Sequence, residues 1–402
     1  MSLTSDVPGD RPGVSVVLPC LNEEQTIGMV IAEIHDVMRQ SIWVDDYEVI
    51  VADNGSTDAS RAIASTLGAT VVAVPVKGYG AALQAGILSA RFRTVVTLDS
   101  DFTYDATFIP ALVSCLQTTR ADLVLGTRLR GRIEPGAMPF LHRRLGTPVL
   151  TGLINMMWRS SVSDVNSGMR AFSKSSFQDW DVQAQGMEFA SEMVLKCLRR
   201  GGSIGEIPIR LRADPRNRQP HLKRWDDGMR HLLLILSSGP HLFVNVALVL
   251  IAVTTVLVGI SVVWGPLPLG RIQIFGFHTV IVSILFGFLG AQSLMQGLTM
   301  EQVGAERSRV ARILLNINEG ILFWLLVGTF AVTALAILTM FLLWGLAGFR
   351  SLAYFKPSLG LTYLASVVGS VSFGLFNAHI SNRLRTSHEG PPNLTDQAGE
   401  HE

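Results

Sequence analysis

The sequence predicts an α/β domain with a mostly parallel sheet, followed by an all-α unit of four transmembrane helices. Two observations carry this. Between residues 13 and 222, short apolar runs alternate with helical stretches, the pattern of a sheet whose faces are covered. Beyond residue 240, four stretches contain no Asp, Glu, Lys or Arg: Leu242–Trp264, Ile272–Met300, Gly320–Phe349 and Pro357–Asn382. Each exceeds the roughly 20 residues that a helix needs to cross the hydrocarbon core. Composition agrees, since only 16% of the 402 residues are charged, where a soluble domain holds about 25%. Mean hydropathy is +0.36. The net charge of +1 excludes a strongly basic surface, so no nucleic-acid partner is expected. Cys20, Cys115 and Cys197 are too few and too far apart for a disulfide framework, and reduced thiols are expected.

In chain order, residues 1–12 are polar and read as a flexible start without a secretory signal. VSVVLP (14–19) is a buried-strand run, followed by a helix from about Glu24 to Gln40. EVIVAD (48–53) is the second strand, with a helix over 58–67. TVVAV (70–74) leads into a helix through AALQAGILSA. TVVTL (94–98) and DLVLG (122–126) are the fourth and fifth strands. Glu188 and Glu192 open a further helix, where acidic side chains favour the N-terminal dipole. Residues 223–239 combine Trp225 and basic residues with an LLLIL run, and read as an interfacial helix. The spans are expected at about 242–264, 273–299, 320–345 and 358–381, inside a unit of residues 240–384. Residues 385–402 read as a disordered tail.

In mostly parallel sheets, ligands bind outside the carboxyl ends of the strands. Here every strand empties onto polar or glycine-rich chemistry: Pro19-Cys20-Leu21-Asn22-Glu23, Asp53-Asn54-Gly55-Ser56, Lys77-Gly78-Tyr79-Gly80, Asp99-Ser100-Asp101 and Gly126-Thr127-Arg128. Five such ends in one sheet point to one shared ligand site. Asp99 and Asp101, one residue apart, can address one hard divalent cation together with a phosphate ligand. A second D-x-D, Asp179-Trp180-Asp181, follows no strand and is set aside. Gly78-Tyr79-Gly80 opens a helix, so it is either an anion-binding turn or a plain tight turn.

The ordered set P-C-L-N-E (19–23), A-D-N-G-S-T-D (52–58), K-G-Y-G-A-A (77–82), D-S-D (99–101), G-T-R (126–128) and D-V-N-S-G-M-R-A-F (164–172) resembles family-two glycosyltransferases with the Rossmann-like A-type fold. The resemblance covers about residues 13–235 and is closest in kind to dolichyl- or polyprenyl-phosphate sugar synthases. It implies that Asp53 meets the nucleotide base, with Pro19, Asn22, Glu23, Lys77 and Ser100 in the nucleotide-sugar pocket. Asp99 would lie near the ribose and diphosphate, and Asp101 would ligate Mg2+ or Mn2+, joined by Asp99 and Thr103. Thr103 stands where many relatives have a longer glutamine. Arg128, Arg143 and Thr147 match positions that handle acceptor phosphate, and Arg216 or Arg218 a basic segment that closes on the donor. Pro220-His221-Leu222 replaces the family's Ser-Lys-Leu, and Asn54 replaces the second Asp of D-D-G-S.

The implied reaction is inverting attack of a polyprenyl or dolichyl phosphate oxygen on the anomeric carbon of a nucleotide-linked hexose, of the UDP-glucose or GDP-mannose class. Such a phosphate arrives largely dianionic, its second pKa being near ~6, and needs positive charge rather than a base. Asp164 is then a positioning residue. A processive polysaccharide synthase is the alternative enzyme, but Gln219 and Arg224-Trp225 miss its Q-x-x-R-W spacing. A non-enzymatic lipid-carrier scaffold or translocation subunit would leave Asp99 and Asp101 unexplained. Lys and Arg cluster before span one, between spans two and three, and after span four, so the catalytic domain and both termini are expected in the cytosol. A homo-oligomer through the spans is compatible with the sequence, though nothing in it requires one.

Overall fold

The computed structural model describes residues 11–42, 44, 46–216, 224–269, 272–303, 309–346, 348 and 355–388. Most of the expected flexible start, Arg218, Pro220-His221-Leu222, Lys223 and the tail beyond 388 lie outside the described residues. The chain divides into two compact units, one ending at Ser238 and one starting at Gly239.

The first unit runs β1 (Arg11–Cys20), α1 (Ile27–Gln40), β2 (Tyr47–Asp53), α2 (Ser60–Thr66), β3 (Thr70–Ala73), α3 (Tyr79–Ser89), β4 (Phe92–Thr97), α4 (Ile109–Thr119), β5 (Leu123–Ile133), α5 (Thr147–Trp158), β6 (Arg170–Ser173), α6 (Lys174–Trp180), α7 (Phe189–Arg199), β7 (Ile204–Leu211) and α8 (Arg224–Ser238). The seven strands form one sheet in the order β3-β2-β1-β4-β6-β5-β7. All pairs are parallel except those of β6, which runs against both β4 and β5. The α/β expectation with a mostly parallel sheet therefore stands. Val14, Val16, Val17 and Leu18 are all buried, because helices cover both faces of β1. In α1, Ile27, Val30, Ile31, Ile34 and Met38 bury one helical stripe against that sheet.

The direction of β6 matters for the site. The loops that leave β1, β2, β4 and β5 share one edge of the sheet. An antiparallel strand brings its entry loop to that same edge. Arg170, at the start of β6, pairs with Thr97 near the end of β4 and with Leu125 of β5. The segment 164–168 is thereby delivered beside Asp99, although it precedes its strand rather than follows it.

The second unit holds α9 (Pro240–Val263), the hairpin β8 (Leu267–Leu269) and β9 (Ile272–Ile274), α10 (Phe277–Val303), α11 (Arg309–Leu315), α12 (Glu319–Leu346) and α13 (Phe355–His388). Four of these, α9, α10, α12 and α13, are long and apolar enough to cross a membrane. The helix expected from 273 starts at Phe277, because Ile272–Ile274 pairs with β8 instead. α10 packs on α9 and α13, and α13 also packs on α12. Gly290 and Gly297 let α10 approach α9, for a Cβ at either would press on Leu250 and Ile251 or on Val244. Tyr363 of α13 ties the bundle through Thr254 and Thr255, with oxygen separations of 2.8 and 2.7 Å.

Candidate active site

Each residue of the strand-end set is held by the loop that carries it or by its neighbour. Asp53 ends β2 and is 1% exposed. Its carboxylate accepts from Gly55 N at 3.1 Å, from Ser56 N at 3.1 Å and from Arg61 Nε at 2.6 Å. Those donors outweigh the effect of burial and hold it below the usual carboxylate range. Asn22 takes a positive φ of 57° and accepts from Thr57 N at 2.8 Å, which joins the ends of β1 and β2. Ser100 Oγ donates to Pro19 O at 2.6 Å, joining β1 to β4. Lys77 Nζ donates to Asn54 O at 2.6 Å.

Asp99 and Asp101 form the acidic centre. Tyr79 OH donates to Asp99 Oδ1 at 2.7 Å, and Thr103 donates through N and Oγ1 to Asp101 Oδ1 at 3.0 and 2.6 Å. Thr103 thus supports the carboxylate that it was expected to join as a ligand. Burial first, and then the neighbouring charge of Asp101, pushes Asp99 up to about 7. Burial also raises Asp101, against the two Thr103 hydrogen bonds. Arg216 reaches this centre from beyond β7. Its side chain, 6% exposed, pairs with Glu23, lies 3.6 Å from Asp101 Oδ2, and is gripped by Asp214 at 2.7 Å.

A second charged centre adjoins it. Arg128 makes a two-pronged pair with Asp164, Nε to Oδ2 at 2.7 Å and Nη2 to Oδ1 at 2.8 Å, and its own N–H adds a third bond at 3.1 Å. Arg128 holds Asp164 low despite burial. The segment 164–168 is fixed further by Ser167 Oγ to Gly126 O at 2.6 Å and by Gly168 N to the Tyr104 hydroxyl at 2.7 Å. A Cβ on Gly168 would sit 3.0 Å from the Asp99 carboxylate, so glycine keeps the two centres in contact.

Arg143 and Arg144 lie apart from this cluster, exposed on a π-helical turn (142–146) that runs into α5. Thr147 is buried at the start of α5, one turn before Thr151, whose Oγ1 is 3.5 Å from Val165 N. α5 therefore leans on the 164–168 segment.

Several residues at the site take roles that the sequence reading did not assign them. Tyr79 sits inside a quoted motif, yet its partner is 20 residues away. Arg170 is buried and, among the described residues, hydrogen-bonds no carboxylate, donating instead to the backbone oxygens of Ser167, Ala190 and Val165. Burial lowers its pKa to about 10. Arg212 clamps the loop after β4 through Glu33 and Asp105 and stacks over Phe102. Glu188 buries one carboxylate oxygen without a hydrogen-bond partner among the described residues. Gly78 and Gly80 serve close approach, because a Cβ on either would strike the carbonyl of Gln185 or Ala184. Glu192 accepts from the backbone of Gln183 and Ala184 and so holds that same segment. Asp181 ends α6 with a positive φ of 52°, which makes the second D-x-D a helix terminus.

The donor set fits a divalent cation. Two carboxylates converge where burial disfavours both charges, with Asp101 adding to the cost at Asp99 and Asp214 to the cost at Asp101. Among the described residues no group of three His, Cys, Asp or Glu completes a cage. The pair matches the few carboxylates that Mg2+ takes when phosphate oxygens complete its shell.

The profile of Glycosyl transferase family 2 matches residues 15–181. The low-salt glycan biosynthesis hexosyltransferase Agl6 of Haloferax volcanii is 36% identical over 301 residues, which is 74% of this chain and 70% of that protein. The match is longer than the first unit and so runs into the helical one. A dolichyl-phosphate hexose transferase of the same organism is 31% identical over 199 residues, 50% of this chain and 82% of that protein. A crystal structure of glucosyl-3-phosphoglycerate synthase from Mycobacterium tuberculosis with Mn2+ and UDP-glucose aligns at a TM-score of 0.46 and 28% identity, over 57% of this chain and 79% of that one. With the profile on the catalytic unit and a relative matched beyond it, the chain belongs to glycosyl transferase family 2.

Proposed function

We propose that the chain transfers a hexose from a nucleotide sugar of the UDP-glucose or GDP-mannose class to a polyprenyl or dolichyl phosphate, with inversion, at the cytosolic membrane face. The observation that carries the lipid acceptor is the turn before α5. Phe140 is 77% exposed, and Leu141, Leu145 and Val149 are exposed around Arg143 and Arg144. Apolar side chains set among arginines suit a ligand that is hydrocarbon at one end and phosphate at the other. Similarity to a dolichyl-phosphate hexose transferase supports the same reading.

Residues after β1 and β2, with Asp53 at the centre, form the wall for the nucleotide, and Lys77 and Arg216 place positive charge toward its phosphates. Asp99 and Asp101 would hold Mg2+ or Mn2+, which supplies charge neutralisation for the departing diphosphate. Arg128, locked by Asp164, presents a fixed guanidinium for phosphate oxygens. Arg143 and Thr147 extend that acceptor side along α5. The acceptor phosphate needs no proton removed, so Asp164 orients Arg128 and does not act as base. The excess of Lys and Arg on one side of the four spans supports a cytosolic catalytic unit and cytosolic termini.

The test is label transfer into lipid. Purified full-length protein receives polyprenyl phosphate and a panel of labelled nucleotide sugars, with Mg2+, Mn2+ or chelator. Cation-dependent labelled lipid from one donor is expected, with Asp101→Ala reducing the rate at least about 100-fold, as loss of a main electrostatic stabiliser does. Label appearing in a polymer, or in no lipid while nucleotide still binds, would overturn the acceptor assignment.

A further inference from the structure

The packing of α8 contains a polar contact that the reaction as described does not use. His231 lies on α8 and is 7% exposed, while Ser191 on α7 is 0% exposed. His231 Nδ1 is 2.7 Å from Ser191 Oγ, and Ser191 Oγ donates to Asn166 Oδ1 at 3.2 Å. Burial, opposed by the charge of Glu188, lowers the imidazole to about 4, so the ring is neutral at physiological pH. With the serine proton directed at Asn166, the network assigns the ring proton to Nδ1, which donates to Ser191. Three polar groups are thus satisfied in line between two helices, at a place where Ile235, one turn on and fully buried, shows that an apolar side chain packs well.

The line ends at a telling position. Asn166 lies between Asp164, which locks Arg128, and Gly168, which faces the Asp99 carboxylate. Asp164 and Ser167 are both turned to β5 and its end, through Arg128 and Gly126. The side chain of Asn166 is instead hydrogen-bonded to Ser191 of α7 and, through it, to His231 of α8. In the sequence α8 is followed at once by Gly239 and the apolar α9.

We propose that Ser191 and His231 pin the 164–168 segment to α8, so that the seating of α8 sets the alignment of Arg128 and Asp99. Both are positioning residues. The role in transfer rests on the reading above, whereas the pin itself does not.

Two measurements on the full-length protein separate these. Hydrogen exchange is read on 164–168 and on α8 in Ser191→Ala, His231→Leu and His231→Asn. The asparagine amide can place an N–H where Nδ1 stands. Exchange in 164–168 is expected to rise about three- to tenfold in the first two variants, the weight of one hydrogen bond, and to return toward the parent in the third. Unchanged exchange in 164–168, or an asparagine variant no better than leucine, overturns the pin. Should His231→Leu fail to fold, Ser191→Ala and His231→Asn decide the same question. Transfer kinetics follow, with whichever donor the parent uses. The expectation is kcat lowered about three- to tenfold at unchanged nucleotide affinity, with the Ser191→Ala, His231→Leu double variant no worse than either single. Loosened exchange with parental kcat overturns the catalytic part. A parent that labels no lipid overturns the acceptor assignment and leaves the exchange result standing.

Discussion

Asp99 carries a tension that a proton or a cation relieves. Burial and the Asp101 charge raise it from 3.8 to about 7 in the folded protein. In the unfolded chain it titrates near about 3.9. Between those values the folded state keeps the proton that the unfolded state has lost. The contribution of that retained proton to the stability of the metal-free protein therefore falls as pH rises through this window, and is gone above the folded value. Asp99→Asn removes that loss. In chelator, thermal denaturation is expected to show the variant gaining on the parent from pH 5 to pH 8, while added Mn2+ raises the midpoint of the parent alone. A variant that tracks the parent at both pH values would contradict this account. Asp99 and Asp101 were legible in the sequence because a carboxylate at a strand end has few structural uses, and Asp164 through the family motif that carries it. Tyr79, Arg170, Ser191 and His231 were not, because each takes its meaning from a partner that only the fold supplies. His231 and Asn166, for instance, meet through a serine on a third element.

Among elements, the strands that bear the site announced themselves, and β6 did not. β1, β2, β4 and β5 each hold a short run rich in Val, Ile or Leu that ends in polar or glycine-rich residues. β6 is four residues long and gains its place by pairing antiparallel with β4 and β5, a register that no local pattern encodes. The start of α10 was misplaced for a related reason: the apolar run that includes it also includes β9, and hydropathy does not divide a hairpin strand from a helix. The contact of α3 with segment 184–186 gives a test at this scale. The Gly80 backbone lies against the carbonyls of Ala184 and Gly186, and Ala81 N donates to Gln185 O at 3.1 Å. Gly80→Ala forces that carbonyl away. A destabilisation of about 1–3 kcal/mol is expected, read as a shift in the denaturant midpoint with an unchanged slope. No shift would mean that the segment moves aside at no cost.

At the scale of the whole molecule, two units of different solvent preference share one chain. The division was legible from charge alone, because hydrocarbon excludes unpaired charge so strongly. The side proposed for each loop rests on the counts of Lys and Arg, and it can be tested with thiol chemistry. Cys20 and Cys197 are buried, and burial pushes their thiols up to about 11 and about 12, so they are poor thiolates in the folded protein. In a background with Cys115 replaced, a cysteine at Trp264, between α9 and β8, is expected to react in intact cells with a membrane-impermeant maleimide. A cysteine at Arg312, between α10 and α12, is expected to react only after the membrane is opened. The reverse pattern would invert the orientation proposed here.

The pairing of Glu23 with Arg216 also has a bearing on biosynthesis. The first of these follows β1 and the second follows β7, so the acidic centre obtains its arginine only when nearly the whole catalytic unit has been made. At about 5–20 residues per second of synthesis, Glu23 waits on the order of 10–40 s for Arg216. Through that interval Glu23 lacks the guanidinium that pairs with it, and Asp101 the one that comes to lie 3.6 Å away. If Asp99 and Asp101 take a cation as proposed, the order of translation would leave its place open to solvent until Arg216 closes beside it.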